Sequence, residues 1–434
     1  MSLTTIGIMG ICIFILLLFL NMPIGISLAL IGFVGVGLIR GWDASLSMLS
    51  LQAYRTAADY ILGVIPLFVA MGFLAMRLRL SSDLFYVMNK WIGHMRGGLA
   101  MATTVACMAF GAVCGSAVAT SMAVGTVALP EMRKYKYKDI LSTGILASAG
   151  NLGALIPPSM PLIIYAIITE QSVGLLFSGG IGAGILLTLL FILAIWIWCR
   201  IKPDVAYSSP PAPWRERFGA VRYIIGLLLL AIIVLGGIYT GMFTPTEAAA
   251  IGVFGALVIG LIFKRLTWKV FTGSMVDTAL LSGKIFLLII GAMIFTRFVT
   301  VSEVPLQIST LIAELNLPSF SILIILLIFY IAAGFVMDIM PIILITVPIL
   351  HPVLVGMGYH PVWLSVLITM TTLIGGITPP VGLVVFSLSA MIKDVPIYTI
   401  FKGIFPFLGA MLLCMVLMIA FPDIVLFLPK LMSP

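Results

Sequence analysis

The chain has 434 residues, of which 62% are hydrophobic and 9% charged. Soluble domains carry roughly 45–50% apolar and about 25% charged residues, so composition alone excludes a water-solvated globule and leaves an integral membrane protein. The 23 Lys and Arg against 15 Asp and Glu leave a charge of +8, an excess that in a membrane protein speaks to orientation rather than to nucleic acid.

At about 20 residues per spanning helix the length allows ten or more crossings and little else, so any chemistry sits at membrane depth or in short loops. The 42 Gly and 24 Pro exceed what plain spanning helices need and point to helices broken on purpose. Five scattered cysteines (Cys12, Cys107, Cys114, Cys199, Cys414) give neither a disulfide framework nor metal spacing.

In chain order, Met1 to Leu20 lacks a basic n-region and a cleavage site and reads as a first spanning helix rather than a signal peptide. Further apolar runs fall near 24–39, 60–76, 140–169, 172–198, 223–240, 246–263, 277–300, 362–391 and 404–421, about ten spans in all. Two stretches, 98–130 and 319–355, are too long for one helix and carry small or polar residues at their middles; they read as re-entrant hairpins. Stretches 43–59 and 303–317 read as amphipathic helices in the interface. With the N-terminus outside, parity places 77–97, 131–139, 200–222, 264–276 and 392–403 in the cytoplasm. Those segments hold 18 of the 23 basic residues, as the positive-inside rule requires.

Laid on itself at an offset of 222, the chain pairs Pro157 and Pro158 with Pro379 and Pro380, Gly153 with Gly375, Pro23 with Pro245 and Pro130 with Pro352. Random placement would give about 0.6 Pro–Pro coincidences where four are seen. The offset was chosen on the Pro-Pro pairs, but the other two coincidences lie far from them. It also lays the first hairpin's middle on the second's, with Asp338 in place of a serine. Parity opens the first hairpin from the cytoplasm and the second from outside. The expected fold is therefore all-α and integral to the membrane, about ten transmembrane helices plus two re-entrant hairpins in an inverted-topology repeat, the architecture of secondary transporters. The expected division is scaffold and interfacial arm at 1–97, transport unit at 98–200, a second scaffold at 201–317 and a second transport unit at 318–434.

The Pro pairs forbid regular helix at the centres of 140–169 and 362–391, so the first is expected to unwind around Gly150 to Ile156 and free its carbonyls. Free carbonyls at membrane depth suit a dehydrated Na⁺, a hard cation that takes several oxygens. Pro kinks satisfied by neighbouring helices are the simpler reading of either break alone; repetition in register with the hairpin tips favours sites. One expected sodium site joins Ser116 to Asn151 and Gly153; the other joins Asp338 to Gly375, Gly376 and Thr378. Substrate is expected between them, against Thr120 and Ser159. A carboxylate at depth needs a cationic partner, taken as Na⁺ with a proton as the alternative.

Lys284 and Arg297 could line the pathway or snorkel to a surface. Glu247 reads as a helix cap, Gly180 and Gly184 as a packing pair, and His351 and His360 as interfacial. Enzyme motifs such as HExxH or GxSxG are absent, as is a P-loop. The chain is therefore read as neither an enzyme nor a primary pump, and no cofactor beyond Na⁺ as coupling ion is expected. A channel fits the inverted repeat less well.

Gly111-Ala-Val-Cys-Gly-Ser-Ala-Val-Ala-Thr120, Leu152-Gly-Ala-Leu-Ile-Pro-Pro-Ser-Met-Pro161, Phe243-Thr-Pro-Thr-Glu-Ala248, Gly334-Phe-Val-Met-Asp338 and Ile377-Thr-Pro-Pro-Val-Gly382 resemble signatures of the large membrane subunit of TRAP (tripartite ATP-independent periplasmic) transporters. The resemblance spans essentially the whole chain; one departure is Cys114, where the family often has serine. It implies an elevator-type symporter of the bacterial inner membrane, N-terminus periplasmic, driven by the Na⁺ gradient. It also implies a small four-helix membrane subunit and a periplasmic substrate-binding protein as partners. Its cargo would be an organic acid anion of the C4-dicarboxylate, sialic acid or keto acid class. The alternatives are a proton-coupled organic anion transporter working without a binding protein and, further off, an anion channel.

Overall fold

A computed structural model describes residues 2–20, 22–314 and 317–432, and among these every regular element is helical. By length and apolarity six helices can cross a membrane, or eight if two bent pairs each count as one. Five more apolar helices run to 10–17 residues. The stretch expected in the interface at 43–59 is the helix Trp42–Ala58, which joins Ile61–Arg77 at 57° as one limb of a bent apolar pair. The other stretch expected in the interface, 303–317, is the helix Val304–Glu314, with residues 315 and 316 outside the described residues.

Local chemistry sets the helix starts. Thr244 and Glu247 form a reciprocal capping box ahead of Pro245, so Glu247 is a cap, satisfying the orphan N–H groups of the first turn. Ser159 caps Met160–Thr169 by accepting from the Leu162 N–H at 3.3 Å, and Pro161 fits the first turn because its missing donor has no partner there anyway.

Most elements of the two halves correspond in order at the offset read from the prolines, although the bent pair Trp42–Ala58 and Ile61–Arg77 falls on the single helix Trp268–Val301. Ala117–Lys134 becomes Ile339–Gly356, Leu3 at one helix start becomes Ile225 at another, and Asp139 becomes Pro361. Each hairpin is two helices about a short tip: Gly98–Cys114 with Ala117–Lys134, and Ser319–Gly334 with Ile339–Gly356. The first returns to where it began, since the Leu99 N–H donates to Tyr137 Oη at 3.2 Å.

All five predicted cytoplasmic segments meet at one end of the bundle. Arg265 donates to Asp83 at 2.5 and 3.1 Å, and Lys90 pairs with Glu216 at 2.6 Å. The Ser209 N–H donates to the Gly93 carbonyl at 3.0 Å. Lys138 pairs with Asp204, and Arg133 reaches Asp394 at 2.8 Å. The first hairpin opens at this basic end. The second opens at the other: Phe320 and Tyr359, at its two feet, share a pocket with Ile419. Ile419 ends the 24-residue helix Ile397–Ala420, which starts beside Asp394 and at 1.5 Å per residue spans about 36 Å. The two hairpins thus open at opposite ends of the bundle.

Candidate functional site

Both expected breaks are present. The first helix runs Asp139–Ala149, turns at 150–151, makes one helical turn at Leu152–Leu155 and opens at 156–159 before Met160–Thr169. The unwinding is therefore later than expected: 152–155 stays helical because Gly153 and Ile156 keep N–H donors, to the Gly150 and Leu152 carbonyls at 2.9 and 2.8 Å. What Pro157 and Pro158 remove are the bonds that residues 157 and 158 would donate to Gly153 and Ala154. The second helix runs Pro361–Ile377 and opens at 378–382 before Leu383–Met391. There Pro379 and Pro380 remove the bonds to Gly375 and Gly376, though Gly375 accepts instead from the Thr378 N–H at 3.0 Å. Both Pro-Pro bonds are cis.

The hairpins seat against these breaks through glycine. A methyl added at Gly111 would stand 2.6 Å from the Gly153 Cα, and one at Gly334 would stand 2.8 Å from the Gly375 Cα. Only hydrogen atoms fit between such backbones. The first tip turns at Gly115, with φ +69°, and its carbonyl accepts from the Met160 N–H at 3.3 Å. Gly180 and Gly184 press the helix Val173–Ile201 onto the same break, against Leu155 and Ile156, which makes them packing residues.

Between the tips and the breaks lies a cleft of about 60 Å³. Ser116, Asn151, Asp338 and Gly376 all line it, so residues assigned to two separate ion sites face one space. Its lining follows the repeat. Seven pairs separated by 222 positions meet there: Gly115 with Met337, Ser116 with Asp338, Ala117 with Ile339, Val118 with Met340, Asn151 with Leu373, Ala154 with Gly376, and Pro161 with Leu383. The cleft is thus lined by matched residues of both halves.

Its polar groups differ in how far they are engaged. Ser116 caps its own helix weakly, accepting from the Ala119 N–H at 3.5 Å. Asp338 occupies the same cap position of the second hairpin but makes no capping bond. It forms no ion pair among the described residues, so the cationic partner expected of it is not a side chain there. Asn151 is fully buried, and its Nδ2 donates to the Leu373 carbonyl at 3.5 Å. Its Oδ1 has no partner, which costs roughly 1–3 kcal/mol unless something uses it.

Other expected site residues stand behind the cleft. Thr120 is buried against Gly153. The buried Ser159 donates its hydroxyl to the Ala154 carbonyl, and Thr378 donates to the Ile374 carbonyl at 2.6 Å. Gly153 and Gly375 are held in the hairpin contacts just described. Lys284 and Arg297 sit exposed on Trp268–Val301, away from the cleft. His351 is buried rather than interfacial, its Nδ1 2.8 Å from Tyr165 Oη. Sequence reading missed Ala154, Met337, Met340, Leu373 and Leu383, although the offset applied to Gly376, Asn151 and the first tip points to the first four.

Residues 11–424 match the family described as tripartite ATP-independent periplasmic transporter, DctM component. The C4-dicarboxylate TRAP transporter large permease protein of Pseudomonas aeruginosa is 35% identical over 89% of this chain and 90% of its own length. The chain belongs to the TRAP transporter large permease family. The ectoine TRAP large permease of Halomonas elongata is 32% identical, covering 95% of this chain and 96% of that one. The sialic acid TRAP large permease of Vibrio cholerae is 28% identical over 96% of each. Among solved structures, the YdaH transporter of Alcanivorax borkumensis shares the fold, with a TM-score of 0.53 and 15% identity over 89% of this chain and 90% of that one. TRAP large permeases are multi-pass transport proteins rather than enzymes, which accords with the absence of catalytic motifs.

Proposed function

We propose that this permease is the large subunit of a Na⁺-coupled symporter that imports an organic acid anion across the bacterial inner membrane. In this reading the chain crosses ten times with its N-terminus in the periplasm. It works with a small four-helix membrane subunit and takes substrate from a periplasmic binding protein. The hairpins and broken helices of 98–200 and 318–434 move as one transport unit against the scaffold of 1–97 and 201–317, an elevator form of alternating access.

The observation that carries the proposal is the cleft lined by matched residues of both halves, among them Asp338, whose carboxylate has no ion-pair partner among the described residues, and Asn151, whose amide oxygen has no partner among them. Both are hard oxygen donors, the class Na⁺ takes. The Ser116 hydroxyl and the carbonyls freed at Gly153 and Gly376, with Thr378 and the second lone pair of the Gly375 carbonyl, complete the donor set in this reading. Thr120 and Ser159 stand one layer back, where closure on substrate would use them. The relatives named for C4-dicarboxylate, ectoine and sialic acid hold the substrate at the level of organic acid class.

The test is uptake into proteoliposomes carrying both membrane subunits, with loaded binding protein outside. An inward Na⁺ gradient should drive saturable accumulation and a proton gradient alone should not. Accumulation that follows the proton gradient and ignores Na⁺ would sink the coupling assignment.

A further inference from the structure

Among the cations of the basic end, Arg96 and Arg200 share one cavity. Arg77, Lys90, Arg133, Lys138 and Arg265 each hold a carboxylate; Arg96 and Arg200 hold none among the described residues. The two instead line one cavity of about 430 Å³ with Met95, Trp196 and Cys199. Its shape has a local cause. Gly97, at φ +75°, comes so near Val173–Ile201 that a methyl there would stand 2.7 Å from Cys199 Sγ, which sets Arg96 beside the helix end. The Arg200 guanidinium lies 4.6 Å over the Trp196 ring, an arrangement that fixes its plane.

Below this cavity the helix presents an exposed apolar ridge at four-residue spacing, Ile185, Leu189, Leu193 and Ile197, each 43–58% exposed. A ridge of that spacing is one face of a helix, and it descends about 18 Å from Ile185 to Ile197 at 1.5 Å per residue. Two unpaired guanidiniums, an interfacial tryptophan and an apolar track beneath them match one ligand: a phosphodiester headgroup with acyl chains attached. We propose that Arg96, Arg200 and Trp196 form a binding site for an anionic phospholipid, its phosphate between the two arginines and one acyl chain along Ile197, Leu193, Leu189 and Ile185. The lipid seals the entrance of the first hairpin to the helix Val173–Ile201, a joint that protein atoms alone leave open.

Native mass spectrometry of the purified full chain, offered equal phosphatidylglycerol and phosphatidylethanolamine of matched chains, tests the site. Wild type should retain phosphatidylglycerol. Arg96→Gln with Arg200→Gln should lose that preference by about thirtyfold, since each interfacial arginine contributes about fivefold. The control pair Lys136→Gln with Lys264→Gln should keep it. Brominated-chain phosphatidylglycerol should quench wild-type tryptophan fluorescence, with the quench reduced in Trp196→Phe; this arm decides the matter if the double arginine variant does not fold. Equal retention of both lipids, an undiminished preference in the arginine variant, unreduced quenching in Trp196→Phe, or displacement of the lipid by millimolar inorganic phosphate would each overturn the proposal.

Discussion

Asn151 and Leu373 are repeat mates, 222 residues apart, and the side chain of the first donates to the carbonyl of the second at 3.5 Å. The two halves therefore touch at the same point of their own sequence. The bond spends Nδ2 and leaves the buried Oδ1 of this cleft-lining residue without a partner among the described residues. Asn151→Ala removes that oxygen and should raise the Na⁺ concentration for half-maximal uptake about tenfold or more, since a lost donor to a charged group costs about 1.5–3 kcal/mol. An unchanged Na⁺ activation curve in proteoliposomes would remove Asn151 from the site.

Asp338 holds a cap position without capping, so its replacement should cost function and spare the fold. Asp338→Asn is expected to abolish Na⁺-driven uptake while thermal unfolding in detergent shifts little. Uptake at the wild-type rate contradicts the assignment, and a collapse in unfolding temperature contradicts the claim that the carboxylate has no structural duty.

The glycines of the site separate packing from ligation. Gly111→Ala drives a methyl to 2.6 Å of the Gly153 Cα, and backbone cannot yield as a side chain does, so a loss of about 1–3 kcal/mol is expected. Gly376 has nothing within 4 Å of an added methyl, and Gly376→Ala should leave the unfolding temperature level or slightly raised. Its methyl would nevertheless enter the cleft, so Na⁺-dependent uptake should fall. Equal thermal effects in the two variants would mean that the hairpin contacts are looser than described.

Arg133 ties Asp139 and Asp394, at 2.9 and 2.8 Å. The hydrogen bond from Arg133 holds the Asp394 carboxyl below its usual range. A depressed carboxyl contributes stability that is present above its unfolded pKa of about 3.9 and is lost as the pH falls through the lower folded value. Between about pH 5 and 8 the difference in unfolding temperature between wild type and Arg133→Gln should therefore stay constant, while added salt should shrink it. A difference that grows or vanishes inside that pH window would assign the effect to another group.

Much of this was legible in the sequence, for identifiable reasons. Prolines cannot donate, so the paired Pro157 and Pro158 and their mates marked both breaks, and charge sorting marked the end where the hydrophilic loops meet. Small residues at the first hairpin tip and the polar Asp338 at the second, each between apolar runs, marked both tips. What stayed hidden depended on who neighbours whom. Helical hydroxyls such as Thr378 satisfy themselves on the carbonyl four residues back, so their presence in a motif does not say whether they face a cavity. The helical turn at 152–155 was missed because a proline's effect falls on carbonyls upstream whose own N–H bonds survive. That Ser116 and Asp338 share one cleft follows from the matching lengths of two hairpins entering from opposite ends, which no single motif displays.

The loop at 200–222 has a grip on two neighbours. Its Val205 carbonyl accepts from the Lys138 N–H at 3.0 Å, and its Ser209 N–H donates to the Gly93 carbonyl at 3.0 Å. Only the links from 205 to 209 separate those handholds, and four residues of extended chain reach at most about 14 Å. The loop is thus a leash of fixed length: while both grips hold, the foot of the first hairpin can drift from the 93 turn only within that radius, and any longer stroke must first let go of one end.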